Sequence, residues 1–330
     1  MTLPDSILNG DRRALARLIT QIENERPEAR AALAALHAHT GRAYLVGVTG
    51  PPGSGKSTLV TEMAKAYRRL GQTVAIVAVD PTSPFTGGAI LGDRIRMRDL
   101  SGDEGVFIRS MATRGSLGGL ARATADVTDA LDSAGFDLIL IETVGAGQSE
   151  VDIAGLAYTT LVVEAPGLGD DVQAIKAGIL EIADVLVVNK ADQPGTEAAV
   201  RALRGMLTLA HPSRREFFPH HGSEVEAAVH AGDGETGPAW ATPICETIAL
   251  EGKGIESLLE SINNHRAHLN ASGELAQRRR ARIRRHLEML VREQLYARFL
   301  DGAPDKLEVA IEAVVNRTRD PYSIVEELLK

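Results

Sequence analysis

Gly50-Pro-Pro-Gly-Ser-Gly-Lys-Ser57 follows an apolar run, Ala43 to Val48, and precedes a helix-forming stretch. Strand, glycine-rich turn and helix in that order are what a phosphate-binding loop requires. The glycines at Gly50, Gly53 and Gly55, set among Pro51, Pro52 and Ser54, let consecutive backbone N–H groups turn inward around phosphate oxygens. The N-terminus of the next helix favours the same anion through its dipole. Lys56 is expected to reach the β- and γ-phosphates and the Ser57 hydroxyl to ligate Mg2+, with Thr58 counted among the nucleotide-binding residues. The chain is expected to bind a nucleoside triphosphate.

The choice of base is legible far downstream. Ala183-Asp-Val-Leu-Val-Val188 has the character of a buried parallel strand and empties into Asn189-Lys190-Ala191-Asp192. A carboxylate at Asp192 can accept from the N1–H and the exocyclic amine of guanine, whereas adenine would set a lone pair against it. Discrimination by an unsatisfied polar group is strong. Lys190 is expected over the base plane, with Asn189 tying this loop back to the phosphate loop. GTP and GDP, rather than adenine nucleotides, are the expected ligands.

Between these two elements Phe136-Asp-Leu-Ile-Leu-Ile141 forms another buried strand, ending in Glu142-Thr-Val-Gly145. Glu142 is expected to face the magnesium and its waters, its longer side chain acting through a water where many GTPases use Asp. Gly145 can offer its N–H to the γ-phosphate. A strand over 73–79 ends in Asp80-Pro81 and leads into a Gly- and Pro-rich loop carrying Asp93 and Arg96, a candidate switch over the γ-phosphate.

The chain has 330 residues, 44% of them hydrophobic, and a net charge of −8. It can bury a core, and its acidity argues against nucleic acid as a partner. Its single cysteine, Cys245, excludes an internal disulfide and a cysteine metal cluster. No long apolar run or signal-peptide layout is evident, so no membrane association and a cytoplasmic location are expected. Strand patterns at 43–48, 73–79, 137–141, 159–163, 184–188 and 243–248 alternate with helical ones at 56–70, 117–133, 170–182 and 195–209. The expected fold class is α/β, a doubly wound, mostly parallel sheet with the ligand at the carboxyl ends of the strands.

Three segments are expected: an N-terminal helical extension over 1–40 standing apart, a P-loop GTPase domain over 41–265, and a C-terminal helical dimerisation arm over 266–330. The arm contains Gln277-Arg-Arg-Arg-Ala-Arg-Ile-Arg-Arg-His286. Ile283, Leu287, Leu290, Val291, Leu295 and Phe299 recur at three and four residues, so the arginines are expected on a solvated or salt-bridged face and the apolar stripe against a second copy of the chain. His211, His220, His221 and His230 fall in an irregular stretch, 211–237, without recognised metal-ligand spacing.

Taken together the motifs resemble the MeaB/ArgK group of P-loop GTPases, called MMAA in animals, which serve adenosylcobalamin-dependent acyl-CoA mutases. The resemblance is carried by Gly10 to Thr20, Gly50 to Thr58, Asp80-Pro-Thr-Ser-Pro84 with Gly87 to Met97, Glu142 to Ser149, Gly169 to Gly178 and Asn189 to Asp192. It implies a homodimer that docks on methylmalonyl-CoA mutase or a close relative, gates cofactor loading and helps exchange damaged cobalamin. It assigns Asp80, Asp93 and Glu142 to magnesium and water positioning. It also makes residues 165–178, with Asp170, Asp171, Gln173 and Lys176, a switch facing the mutase. The last guanine loop departs from the family's Ser-Ala pattern: it reads Ile248-Ala249-Leu250, which lacks a serine hydroxyl while the Ala249 N–H is expected to reach the base oxygen. A nickel-insertion GTPase and a transport-related protein kinase are the alternatives that the resemblance leaves open.

Overall fold

A computed structural model describes residues 2–81, 97–100, 102–113, 119–143, 149–167, 181–209, 240–302 and 304–328. They form two compact units, Met1–Arg282 and Ile283–Lys330. The first is built on a seven-stranded sheet: β1 Tyr44–Thr49, β2 Val74–Pro81, β3 Val106–Thr113, β4 Leu138–Thr143, β5 Thr159–Glu164, β6 Val185–Asn189 and β7 Ile244–Thr247. Every pairing is parallel, in the order β3-β2-β4-β1-β5-β6-β7. The doubly wound α/β fold expected from the alternating pattern is therefore the one observed. The direction in which successive strands are added to the sheet reverses beside β1, and at such a switch point the loops after the strands splay apart and leave a crevice for ligand.

Strands β1, β4 and β6 are buried along their whole length, as runs of Val, Ile and Leu covered on both faces must be. The carboxylate of Asp132, in the helix Gly119–Ser133, accepts from the N–H groups of Gly41, Arg42 and Ala43 at 2.5, 3.0 and 2.8 Å, which fixes the chain as it runs into β1.

β3 is an edge strand that the sequence pattern does not announce, pairing among the described residues with β2 alone. Arg109 and Ser110 interrupt its apolar run, and Arg109 answers to Glu23 of a preceding helix. The N-terminal helices α1 Leu3–Leu8, α2 Arg12–Glu23 and α3 Pro27–Leu36 do not stand apart. Ile7, Leu15, Leu18, Ile19 and Ile22 join the central core, and Arg12 donates to the Val106 and Glu104 carbonyls at the edge. Asp11 caps α2 through the N–H groups of Arg13 and Ala14 at 2.8 and 3.1 Å. Covering a sheet edge with helices also blocks strand addition there.

α4, Lys56–Arg69, follows the glycine-rich turn, and α8, here Ile255–Ala271, packs against it and against β7; between them in chain order lie α5 Gly119–Ser133, α6 Ser149–Leu156 and α7 Thr196–Leu209. The long helix α9, Glu274–Gly302, contains the division between the two units. The second unit continues through α10, Pro304–Val315, and α11, Pro321–Leu328, with Ala310 and Ile324 buried. Among the described residues no helix is long and apolar enough to cross a membrane.

Candidate nucleotide site

The site is assembled at the carboxyl ends of β1, β4, β6 and β7. Gly50 leaves β1 with φ +139°, and a Cβ built there would lie 2.0 Å from the Val163 carbonyl oxygen of β5, so the turn can pass only as glycine. Gly55, at φ +91°, caps α4 with its would-be Cβ 2.3 Å from Asn189 Nδ2. The turn is thereby pressed between two strands. Lys56, 6% exposed, lies within it and donates from Nζ to the Gly50 and Pro51 carbonyls at 2.8 and 3.0 Å. Pro52 and Gly53 are exposed at the tip, and Pro51 and Thr58 are half-buried.

Glu142 sits at the end of β4, in register with Val48 of β1. Its Oε1 accepts from the Ser57 hydroxyl at 2.6 Å. A hydroxyl oxygen beside a buried carboxylate is a donor set that suits a hard divalent cation such as Mg2+, so these residues fit the ion that the fold implies. One residue further on, Thr143 donates to Thr49 at 2.9 Å and joins β4 to β1 just before the glycine-rich turn.

The loop after β6 is locked to both neighbours. Asn189 Nδ2 donates to the Ser54 carbonyl at 2.9 Å, which ties it to the glycine-rich turn. Asn189 Oδ1 accepts from Thr247 Oγ1 and from the Ala249 N–H, both at 3.1 Å. The Ala249 N–H, expected to reach a base oxygen, donates here to the Asn189 amide, because β7 ends directly opposite β6 and the chain turns immediately into a short 3-10 turn, Ala249–Glu251. Ile248 is half-buried and Leu250 is 86% exposed. Lys190 takes a left-handed conformation, φ +58°, and its Cε approaches Gly55. Asp192 is exposed; the Lys253 ammonium pKa is raised by its hydrogen bond with Glu251 and by the charge of that carboxylate, to which the Asp192 charge adds.

The structure thus brings together Gly50 to Ser57, Glu142, Asn189, Lys190 and Ala249. Asp80 is the next-to-last residue of β2, where its backbone pairs with Ala112 of β3. Asp93, Arg96, Gly145, Asp170, Asp171, Gln173 and Lys176, with the 211–237 stretch, lie outside the described residues. Thr247 was not singled out in the sequence; its place one residue before the Ile248 loop is the signal that marks it.

A doubly wound parallel sheet with a glycine-rich turn after β1, a buried acid at the end of β4 and Asn-Lys-Ala-Asp beginning at the end of β6 defines a P-loop nucleoside triphosphatase. The chain belongs to the MeaB family, whose model, described as methylmalonyl Co-A mutase-associated GTPase MeaB, matches residues 15–303. It is a GTPase. A Pyrococcus horikoshii protein named as a GTPase is 46% identical over 328 residues, covering 99% of this chain and 96% of the relative. The mitochondrial methylmalonic aciduria type A homolog of Mus musculus is 34% identical over 256 residues, 78% of this chain and 57% of that protein. Among solved structures, a LAO/AO transport system kinase matches with a TM-score of 0.70 at 25% identity, covering 99% of this chain and 95% of that one.

Proposed function

We propose that this GTPase serves as a nucleotide-gated chaperone of an adenosylcobalamin-dependent acyl-CoA mutase, methylmalonyl-CoA mutase or a close relative. It gates cofactor loading and protects or reactivates that enzyme. The observation that carries the nucleotide chemistry is the one buried cluster in which Asn189 spans the glycine-rich turn and the loop after β6. The client is supported by the description of the matching family and by the name of the mouse relative.

In this reading Lys56 neutralises the β- and γ-phosphates, and Asp192 and Lys190 read and cover the guanine. Ser57 and Glu142, with Asp93, hold Mg2+, which supplies charge neutralisation across the phosphates. Asp80 and Gly145 complete the hydrolytic centre. Arg96, Asp170, Asp171, Gln173 and Lys176 report the nucleotide state to the client. Hydrolysis then acts as a timing signal. The protein works in the cytoplasm as a homodimer joined through residues 266–330; Ile283, Leu287, Val291 and Leu295 on α9 are each 54–60% exposed, an apolar row that a second copy would cover.

The deciding experiment is GTP turnover by the protein alone and with candidate adenosylcobalamin mutases. Stimulation by one of them supports the chaperone function and identifies the client. Turnover indifferent to all of them overturns it.

A further inference from the structure

We propose that Thr49 and Thr143 are positioning residues for Ser57 and Glu142, their hydroxyl-to-hydroxyl bond holding the start of the glycine-rich turn and the acidic end of β4 at a fixed separation. The inference rests on the reading of Ser57 and Glu142 as the Mg2+ pair and adds to it the two residues that set their spacing.

Thr49 and Thr143 are the last residues of β1 and β4, and they are 0% and 1% exposed. The parallel pairing of these strands ends one residue earlier, at Val48 and Glu142. Gly50, at φ +139°, already turns the chain out of the sheet. The two threonines continue the join through their side chains, Thr143 Oγ1 donating to Thr49 Oγ1 at 2.9 Å. On their outer sides both stay in register, Thr49 with Val162 of β5 and Thr143 with Val79 of β2. The bond therefore acts as an extra rung at the point where main-chain pairing between β1 and β4 stops. A buried hydroxyl is costly without a partner, so each threonine needs the other.

Successive side chains of a strand point to opposite faces, so Glu142 and Thr143 grip the end of β4 from two sides. Glu142 reaches Ser57 of α4 at 2.6 Å on one face. The other face belongs to α6: a Cβ built on Gly47 would lie 3.1 Å from Ile153 Cγ2 and from Ala157 Cβ, and Thr49, two residues on, shares that side. Thr49 opens the turn that leads to Ser57, and Thr143 is bonded to Glu142 along the chain. Loss of the rung frees the two halves of the Mg2+ pair to drift apart, and a displacement of about 1 Å is enough to matter at such a site.

Thr143→Val keeps the branched shape and removes the hydroxyl donor. The test follows release of mant-GDP from the full chain while Mg2+ is titrated, together with steady-state GTP turnover. In Thr143→Val the Mg2+ concentration that half-maximally slows release should rise about tenfold, the low end for residues that orient a metal's ligands. With Mg2+ removed by chelation, mant-GDP affinity should stay within about twofold of the parent, because the phosphate loop itself is unchanged. In turnover, kcat should fall by a similar factor of about ten. Thr143→Ser, which restores the donor, should recover both readouts to within about threefold. The double variant Thr49→Val/Thr143→Val should be no worse than either single one, since both remove the same bond. A Mg2+ requirement for Thr143→Val within about twofold of the parent, an equal loss of mant-GDP affinity with and without Mg2+, or losses that add in the double variant would each overturn the proposal. Should Thr143→Val not fold, Thr49→Val, which removes the acceptor of the same bond, carries the same expectations. The Mg2+ reading is tested separately by Glu142→Gln. If that variant raises the Mg2+ requirement while Thr143→Val does not, only the role of the threonines fails; if neither does, the Mg2+ pair itself has been misassigned.

Discussion

The Ser57 hydroxyl donates to Glu142 Oε1 across 2.6 Å, and the two residues are 7% and 1% exposed. A carboxylate that far from water is costly to keep charged unless donors and a cation surround it. Glu142→Gln retains an oxygen that can accept from Ser57 and removes the charge that would attract Mg2+. We expect GTP turnover to fall about a hundredfold or more, on the scale of losing one electrostatic group in a closed site. The magnesium concentration for half-maximal rate should rise. A Gln variant with the parent's magnesium dependence would show that Glu142 serves the fold and not the ion.

Gly50 is under a harder steric constraint than any side chain in the turn. At φ +139° with a neighbouring carbonyl oxygen 2.0 Å from the built Cβ, Gly50→Ala meets both backbone strain and overlap, and should cost about 3 kcal/mol in denaturant unfolding. Gly10, also at positive φ but with nothing within 4 Å, is the control: its alanine variant should cost about 1 kcal/mol. Equal losses for the two would mean that contact with Val163 is relieved by movement of the turn.

Arg278 and Arg282 show where sequence and structure part. In the sequence they belong to a basic run on a helix face, indistinguishable from Arg280 and Arg284, which are exposed. In the fold Arg278 donates to both carboxylate oxygens of Asp184 at 3.1 Å, and Arg282 pairs with Asp129 of α5. Their partners lie 94 and 153 residues away in the chain, and no local pattern encodes such distances. The same holds for β3: its edge position lets Arg109 sit in a strand because Glu23, from α2, is there to meet it. What could be read locally was the glycine-rich turn, the buried strands and the Asn189 loop, since each carries its constraint within a few residues. The capture of the Ala249 N–H by Asn189 required knowing that β6 and β7 end side by side.

Breaking the Arg278–Asp184 pair should therefore be expensive while leaving the nucleotide site intact. The two side chains are 11% and 2% exposed, and Asp184 also accepts the Thr160 N–H at 2.8 Å and lies 3.2 Å from His265 Nε2. Arg278→Met removes the bidentate partner of a buried carboxylate and should cost about 3–5 kcal/mol; Arg278→Lys, which cannot form the fork, should recover only part of it. Trp240, the chain's one tryptophan, donates to the Asp184 carbonyl at 2.8 Å and packs against His265 with the rings tilted and their centroids 4.8 Å apart, so its emission should report the change directly. Unaltered emission and stability would show that the pair contributes nothing net.

Tyr44 makes the stability of this unit sensitive to alkali. Burial pushes its phenol pKa up to about 12, against the opposing effect of the hydrogen bond with Thr159 and with a further push from the Asp184 charge. Burial raises the Tyr67 phenol as well. In the unfolded chain a phenol loses its proton near pH 10, so between that value and the folded one the native state holds more protons than the unfolded state. Stability must then fall as pH rises through this window, by about 1.4 kcal/mol per unit for each such group, and is fully present below it. Tyr44→Phe removes one of these contributions together with the hydrogen bond to Thr159 Oγ1, 2.7 Å long in the native protein. At pH 8 the variant should be about 1 kcal/mol less stable for want of that bond. Its alkaline slope should be shallower, so that the gap closes and reverses before pH 12. Urea unfolding of both proteins from pH 8 to 12 measures this, and parallel curves across the range would place the Tyr44 phenol at its ordinary pKa in the folded chain.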